Sequence, residues 1–216
     1  MYEIKEKFIS KNRSKKPLIP RGIVVHETAN PGATAENHYK YFNSADRKAS
    51  AHAFIDWDDI IQTIPWNEQA GHAGTYANTR FIGIELCRPA KHDVEKFNIV
   101  WKKGMWLFAN LYINELDIKT ITKDNLLSHD EIRIRSGGTT HTDPTAYFKE
   151  YGRTVDDFRK GVQEEINKML QSKDEVSPWA KEATAWVVEN GISDGTRAKD
   201  TVTREEVWTM LYRMRG

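Results

Sequence analysis

The chain has 216 residues, 39% hydrophobic and 29% charged, with a formal net charge of +1 from 32 basic and 31 acidic side chains. That length suits one well-cored domain plus a small appendage, and the balance excludes wholesale disorder. The near-neutral total gives no reason to expect nucleic acid as a partner, no apolar run nears the roughly 20 residues that cross a bilayer, and a single cysteine, Cys87, excludes an intramolecular disulfide.

The opening MYEIKEKFIS lacks the apolar core of a signal peptide. Synthesis in a reducing cytoplasm is therefore expected, without membrane insertion. Short apolar runs then predict strands at Gly22–Val25, Ala51–Asp56, Ile60–Pro65 and Phe81–Leu86. Gly22–Val25 is apolar at consecutive positions, as a strand buried on both faces should be. Helical spacing predicts helices over Ala33–Phe42, Asp93–Leu116 and Thr154–Leu170; the second carries Phe97, Val100, Trp101, Met105, Phe108, Leu111 and Tyr112 as one stripe. Interleaved strands and helices predict an α/β domain over 1–170, with a central, mostly mixed sheet flanked by helices.

Residues 171–177 (QSKDEVS) read as a polar linker. Beyond them, 178–216 predicts a small all-helical unit. Its first helix opens at Ser177-Pro178 and stops at Gly191; its second starts on the capping-box pair Thr203 and Glu206. About 40 residues bury too little for a robust core, so the unit is expected to pair with the first domain or with another copy.

Of the seven histidines, His26 ends the apolar strand and is followed by Glu27. The carboxyl edge of a buried strand is a preferred place for a ligand. Downstream, Ser128-His129-Asp130-Glu131 and His141-Thr142-Asp143-Pro144 flank the Gly-containing stretch RIRSGGTT, which can double the chain back. His26, His129 and either His141 or Asp143 could form a three-ligand zinc site with an open fourth position; imidazole donors favour zinc over calcium or magnesium. Glu85, inside the apolar strand, is a candidate general base, its pKa raised by burial. Strand alternation offers the plainer reading that it faces solvent with Phe81 and Gly83.

The segments VVHET (24–28), AGHAG (70–74), IGIELC (82–87), SHDEI (128–132) and HTDPT (141–145) occur in an order that resembles the zinc-dependent N-acetylmuramoyl-L-alanine amidases of the amidase-2 type. That family includes phage endolysins and is related to the peptidoglycan recognition proteins. The resemblance implies zinc ligands at His26, His129 and Asp143, which selects Asp143 over His141. It implies Glu85 as the residue serving the catalytic water and His72 as a histidine of the substrate groove. Many members carry a lysine where this chain has His141, which then serves as acid or, protonated, as oxyanion clamp. His52 matches a recurring position and is expected to be structural or groove-lining; His38 and His92 are expected on helix surfaces.

The same resemblance implies a bacterial peptidoglycan hydrolase of phage-endolysin type, cutting between N-acetylmuramic acid and L-alanine and reaching the wall after release from the cell. The alternatives are a non-catalytic peptidoglycan-recognition module and a cytoplasmic muropeptide-recycling amidase. The C-terminal stretch with Asn190-Gly191-Ile192-Ser193-Asp194-Gly195 and Thr203-Arg204-Glu205 resembles a single surface-layer-homology motif. Binding of a secondary wall polymer and homodimerisation stay open as its uses.

Overall fold

The computed structural model describes residues 2–90 and 92–215, with backbone alone for 172–174. Six strands form one mixed sheet: β1 (Lys5–Glu6), β2 (Ile23–Glu27), β3 (Ala53–Ile55), β4 (Ile60–Gln62), β5 (Ile82–Leu86) and β6 (Leu126–Ser128). Their order is β1-β4-β3-β5-β2-β6; β3 and β4 run antiparallel and the other neighbours parallel. The helices around the sheet are α1 (Ala35–Ser44), α2 (Gly74–Asn78), α3 (Val94–Asn114), α4 (His129–Ser136), α5 (Thr145–Glu150) and α6 (Val155–Asp174). The expected α/β architecture is the one observed.

Register sorts the side chains onto two faces. Val24 pairs with Gly83 and Leu127, His26 with Glu85, and Phe54 with Glu85 and Ile61, so these residues share one face. On it, Val24, Phe81 and Leu127 pack with Ala73 and Ala77 of the α2 region and Ile132 of α4, while Phe54, Ile61 and Cys87 pack with Ala35 of α1. The opposite face carries Leu86, which meets α3 at Gly104, where Phe158 of α6 also closes in. Phe158 stands edge-on to both Trp101 and Phe108 of α3, with centroids 5.0 Å apart in each case. Both faces are thus covered, which explains why all five residues of β2 are buried.

The chain divides into two compact units, Met1–Ile166 and Asn167–Gly216. The second holds the end of α6, a 3-10 turn at Pro178–Ala180, α7 (Lys181–Glu189) and α8 (Arg204–Arg213). Thr203 and Glu206 form the predicted capping box, whereas Ser177 makes no side-chain cap bond. Trp179, Trp208 and Tyr212 stand exposed on this unit.

Several expectations need correcting. The stretch 171–177 is not wholly linker, because α6 continues to Asp174: polar residues without Gly or Pro do not stop a helix. RIRSGGTT is not one loop, since α4 runs to Ser136 and Gly137 ends it in the left-handed conformation, φ 63°. His38 is not on a helix surface. It lies three residues after Ala35 on the inner side of α1, buried and stacked on Phe54 with centroids 5.1 Å apart. His92 is exposed, but in the turn before Asp93, the N-cap of α3, rather than on a helix.

Candidate metal centre

Three neighbouring parallel strands, β5, β2 and β6, deliver the site at or just beyond their carboxyl ends. Glu85 and His26 pair in register, and Ser128, the last residue of β6, pairs with Val25. His129 follows at once as the first residue of α4. Its position is set by a capping box in which the Ser128 hydroxyl accepts from Glu131 N and the Glu131 carboxylate accepts from Ser128 N. Arg159 of α6 donates to that same carboxylate and to the Leu126 carbonyl, tying the start of α4 to the far layer.

Asp143 arrives from the loop after α4. Asp130 N, at the open end of α4, donates to the Asp143 carbonyl at 3.3 Å. The result is a tight cluster. His26 Nδ1 lies 3.0 Å from both His129 Nδ1 and Asp143 Oδ2, and His129 Nδ1 lies 3.0 Å from Asp143 Oδ1. Among the described residues this is the one group of side chains placed to hold a metal ion. Burial keeps His26 neutral by lowering its pKa. Burial opposes the charge on Asp143, but the neighbouring His129 and His26 outweigh it and hold the carboxyl well below the usual range.

Glu85 is half-buried at the cleft rather than on a solvated face of the sheet. Its face of the sheet is roofed by α1, α2 and α4, and Glu85 Oε2 is buried without a hydrogen-bond partner. Burial, reinforced by the nearby charges of Asp143 and Glu27, pushes its pKa well above the carboxylate range. Among the described residues, three buried side-chain atoms lack a partner: Glu85 Oε2, His38 Nε2 and Tyr147 Oη. All three residues line one cleft of about 1270 Å³, together with His26, His72, His129, His141 and Asp143.

The remaining histidines divide by their partners. His141 is exposed, stacks on His129 with centroids 5.0 Å apart, and holds its Nδ1 4.0 Å from Asp143 Oδ1. His72 borders the cleft, but its Nδ1 is 3.0 Å from His26 Nε2 and its Nε2 donates to the Phe81 carbonyl, so neither ring nitrogen is free for a ligand. His52 is fully buried, accepting from Gly83 N and donating to the Glu68 carbonyl, which makes it structural. Sequence reasoning missed Thr139, whose hydroxyl meets His129 Nε2 at 2.8 Å. It also missed the Glu27–Arg88 pair, doubly bonded at 2.8 and 3.0 Å, with Arg88 lying over the Tyr147 ring. Glu27 directly follows His26, so only adjacency hinted at it.

Residues 14–146 match the family model described as N-acetylmuramoyl-L-alanine amidase. The chain is 33% identical over 199 residues to Protein Ami of Listeria monocytogenes, covering 91% of this chain and 20% of that protein. It is 29% identical to the bifunctional autolysin of Staphylococcus epidermidis, covering 91% of this chain and 16% of that one. It therefore spans about a fifth or less of these relatives' length. The solved Staphylococcus aureus hydrolase AmiA matches at TM-score 0.72 and 26% identity, over 78% of this chain and 85% of that one. The catalytic domain of XlyA matches at TM-score 0.60 and 30% identity, over 74% and 99%. With its strand-end cluster inside the matched segment, the chain belongs to the N-acetylmuramoyl-L-alanine amidase family of the amidase-2 type.

Proposed function

We propose that this chain is a zinc-dependent hydrolase that cuts the amide between N-acetylmuramic acid and L-alanine in bacterial peptidoglycan. The observation that carries the proposal is the convergence of two imidazole nitrogens and one carboxylate at 3.0 Å spacings, beside an unpartnered Glu85 in an open cleft. Two histidines and a carboxylate with room for a further ligand form a donor set that fits catalytic zinc. His26, His129 and Asp143 would hold it. When bound, zinc supplies Lewis acidity toward the amide carbonyl and the attacking water, and its charge opposes the upward pull of burial on the Glu85 pKa.

The chain's own residues supply the rest. The Glu85 carboxylate accepts the proton of the attacking water and passes it to the leaving amine of L-alanine. As the C–O bond forms and the C–N bond breaks, His141, open to solvent at the rim, donates a hydrogen bond to the developing oxyanion. For the C-terminal unit we propose contact with a secondary wall polymer, supported by exposed Trp179, Trp208 and Tyr212, whose ring faces suit sugar surfaces. Assaying purified walls for new L-alanine amino termini, with zinc and with a chelator, tests the hydrolytic reading. Wall binding without cleavage would point to a recognition module instead.

A further inference from the structure

His26 has both ring nitrogens engaged, and the order of its hydrogen bonds can be read from one end. The chain of contacts starts at the Phe81 carbonyl, which can only accept. His72 Nε2, 3.1 Å away, must therefore carry the proton. In a neutral ring that leaves His72 Nδ1 as an acceptor. The proton in the 3.0 Å contact between His72 Nδ1 and His26 Nε2 then belongs to His26. His26 Nδ1 is left as a bare lone pair, 3.0 Å from Asp143 Oδ2 and His129 Nδ1. Left to Asp143 alone, the ring would adopt the opposite tautomer, with its proton on Nδ1 facing the carboxylate and occupying the ligand direction.

We infer that His72 is a positioning residue that holds His26 in its metal-binding tautomer, rather than a residue that grips substrate. This rests on the metal reading proposed above and gives the AGHAG histidine a different task from the one expected of it. His72 is built in from several sides. Its backbone N and that of Ala73 both donate to Asn78 Oδ1 at 2.9 Å. Its ring lies over Gly83, where an added Cβ would stand 2.3 Å from His72 Cγ. No residue but glycine at 83 lets the ring reach both His26 and the Phe81 carbonyl. Outer hydrogen bonds of this kind orient a ligand and command about 10–100-fold in metal affinity.

The test compares His72→Leu with His72→Gln, measuring zinc affinity by competition with a chromophoric chelator. The tautomer of His26 in the metal-free protein is read from long-range proton–nitrogen NMR correlations. Leucine removes both bonds; glutamine offers an acceptor oxygen to His26 and a donor to Phe81. The expected result is an about 10–100-fold loss for leucine with the His26 proton moved to Nδ1, and a loss of only a few-fold for glutamine with the proton kept on Nε2. Equal zinc affinity in His72→Leu and wild type would overturn the inference, as would equal losses in both variants. Should leucine prevent folding, the His26 tautomer in wild type and His72→Gln still decides. A proton found on His26 Nδ1 in wild type defeats the inference. Because binding is read without hydrolysis, a wild-type chain that binds zinc but cleaves no wall rejects the amidase reading alone. A wild-type chain that binds no zinc removes the inference together with the metal reading.

Discussion

His26 and Glu85 stand in register on the parallel strands β2 and β5, so an imidazole of the His26–His129–Asp143 cluster and an unpartnered carboxylate leave the same face of the sheet side by side. Rigid strands rather than loops fix this pairing, which in the proposed mechanism separates the task of binding an ion from that of moving a proton.

Glu85→Gln should bind zinc with wild-type stoichiometry and lose about 10²–10⁴-fold in hydrolysis, the usual worth of a general base. Zinc content and release of L-alanine amino termini are the paired measurements. Retained turnover in a zinc-loaded variant would take Glu85 out of that role.

Asp143→Ala should weaken zinc binding by more than the roughly 10–100-fold that outer contacts command, because a direct donor is lost. Titration calorimetry of the metal-free protein reads this. His141→Ala should leave zinc affinity within a few-fold of wild type while lowering the rate, since its ring stacks on His129 and stays exposed.

Stability should depend on pH through His38. Burial pushes its pKa from 6.5 down to about 4, against a weaker upward pull from Asp56. The unfolded chain therefore takes up a proton that the folded one refuses. The His38 contribution to stability is full above pH 6.5, falls by up to about 1.4 kcal/mol per pH unit below it, and levels off beneath about pH 4. His38→Phe, which keeps the stacking on Phe54 and removes the unpartnered Nε2, should be at least as stable at pH 7 and lose less on acidification. Urea unfolding at pH 7 and pH 5 checks both statements.

Much of this was legible in the sequence. The apolar runs at 22–25 and 81–86 marked β2 and β5, and the stripe from Phe97 to Tyr112 marked α3, because burial on a fixed period leaves a pattern. The clustered residues were legible as His26, His129 and a residue of His-Thr-Asp-Pro, although spacing alone left His141 and Asp143 competing. The cluster at His26 and His129 includes Asp143, with His141 4.0 Å from the carboxylate. β6 and α4 were not legible: Leu126–Ser128 passes straight into a helix at His129, so neither element shows a period of its own. The inward side of His38 was missed because a histidine among the polar residues of a short helix carries no sign of its facing. The service of His72 to His26 depends on a contact across 46 positions of sequence, and no local pattern records it.

Arg159→Leu should cost about 1–3 kcal/mol by leaving the buried Leu126 carbonyl unpaired and freeing Glu131. It should also weaken zinc binding, because the capped start of α4 that positions His129 loses its brace. A variant with wild-type stability and affinity would show that the capping box suffices alone.

Trp208→Ala and Trp179→Ala should reduce co-sedimentation with intact walls while leaving hydrolysis of a soluble muropeptide unchanged. Both rings are exposed, so neither substitution opens a core cavity. Undiminished wall binding in the double variant would remove the polymer role proposed for this unit.

The most direct measurement of the central claim is the count of new L-alanine amino termini released from purified peptidoglycan by the chelated and the zinc-reloaded protein. The expected result is termini with zinc, none after chelation, and recovery on reloading, with no new reducing sugar ends. Zinc-loaded protein that releases no such termini, or chelated protein that releases them undiminished, would contradict a zinc-dependent amidase.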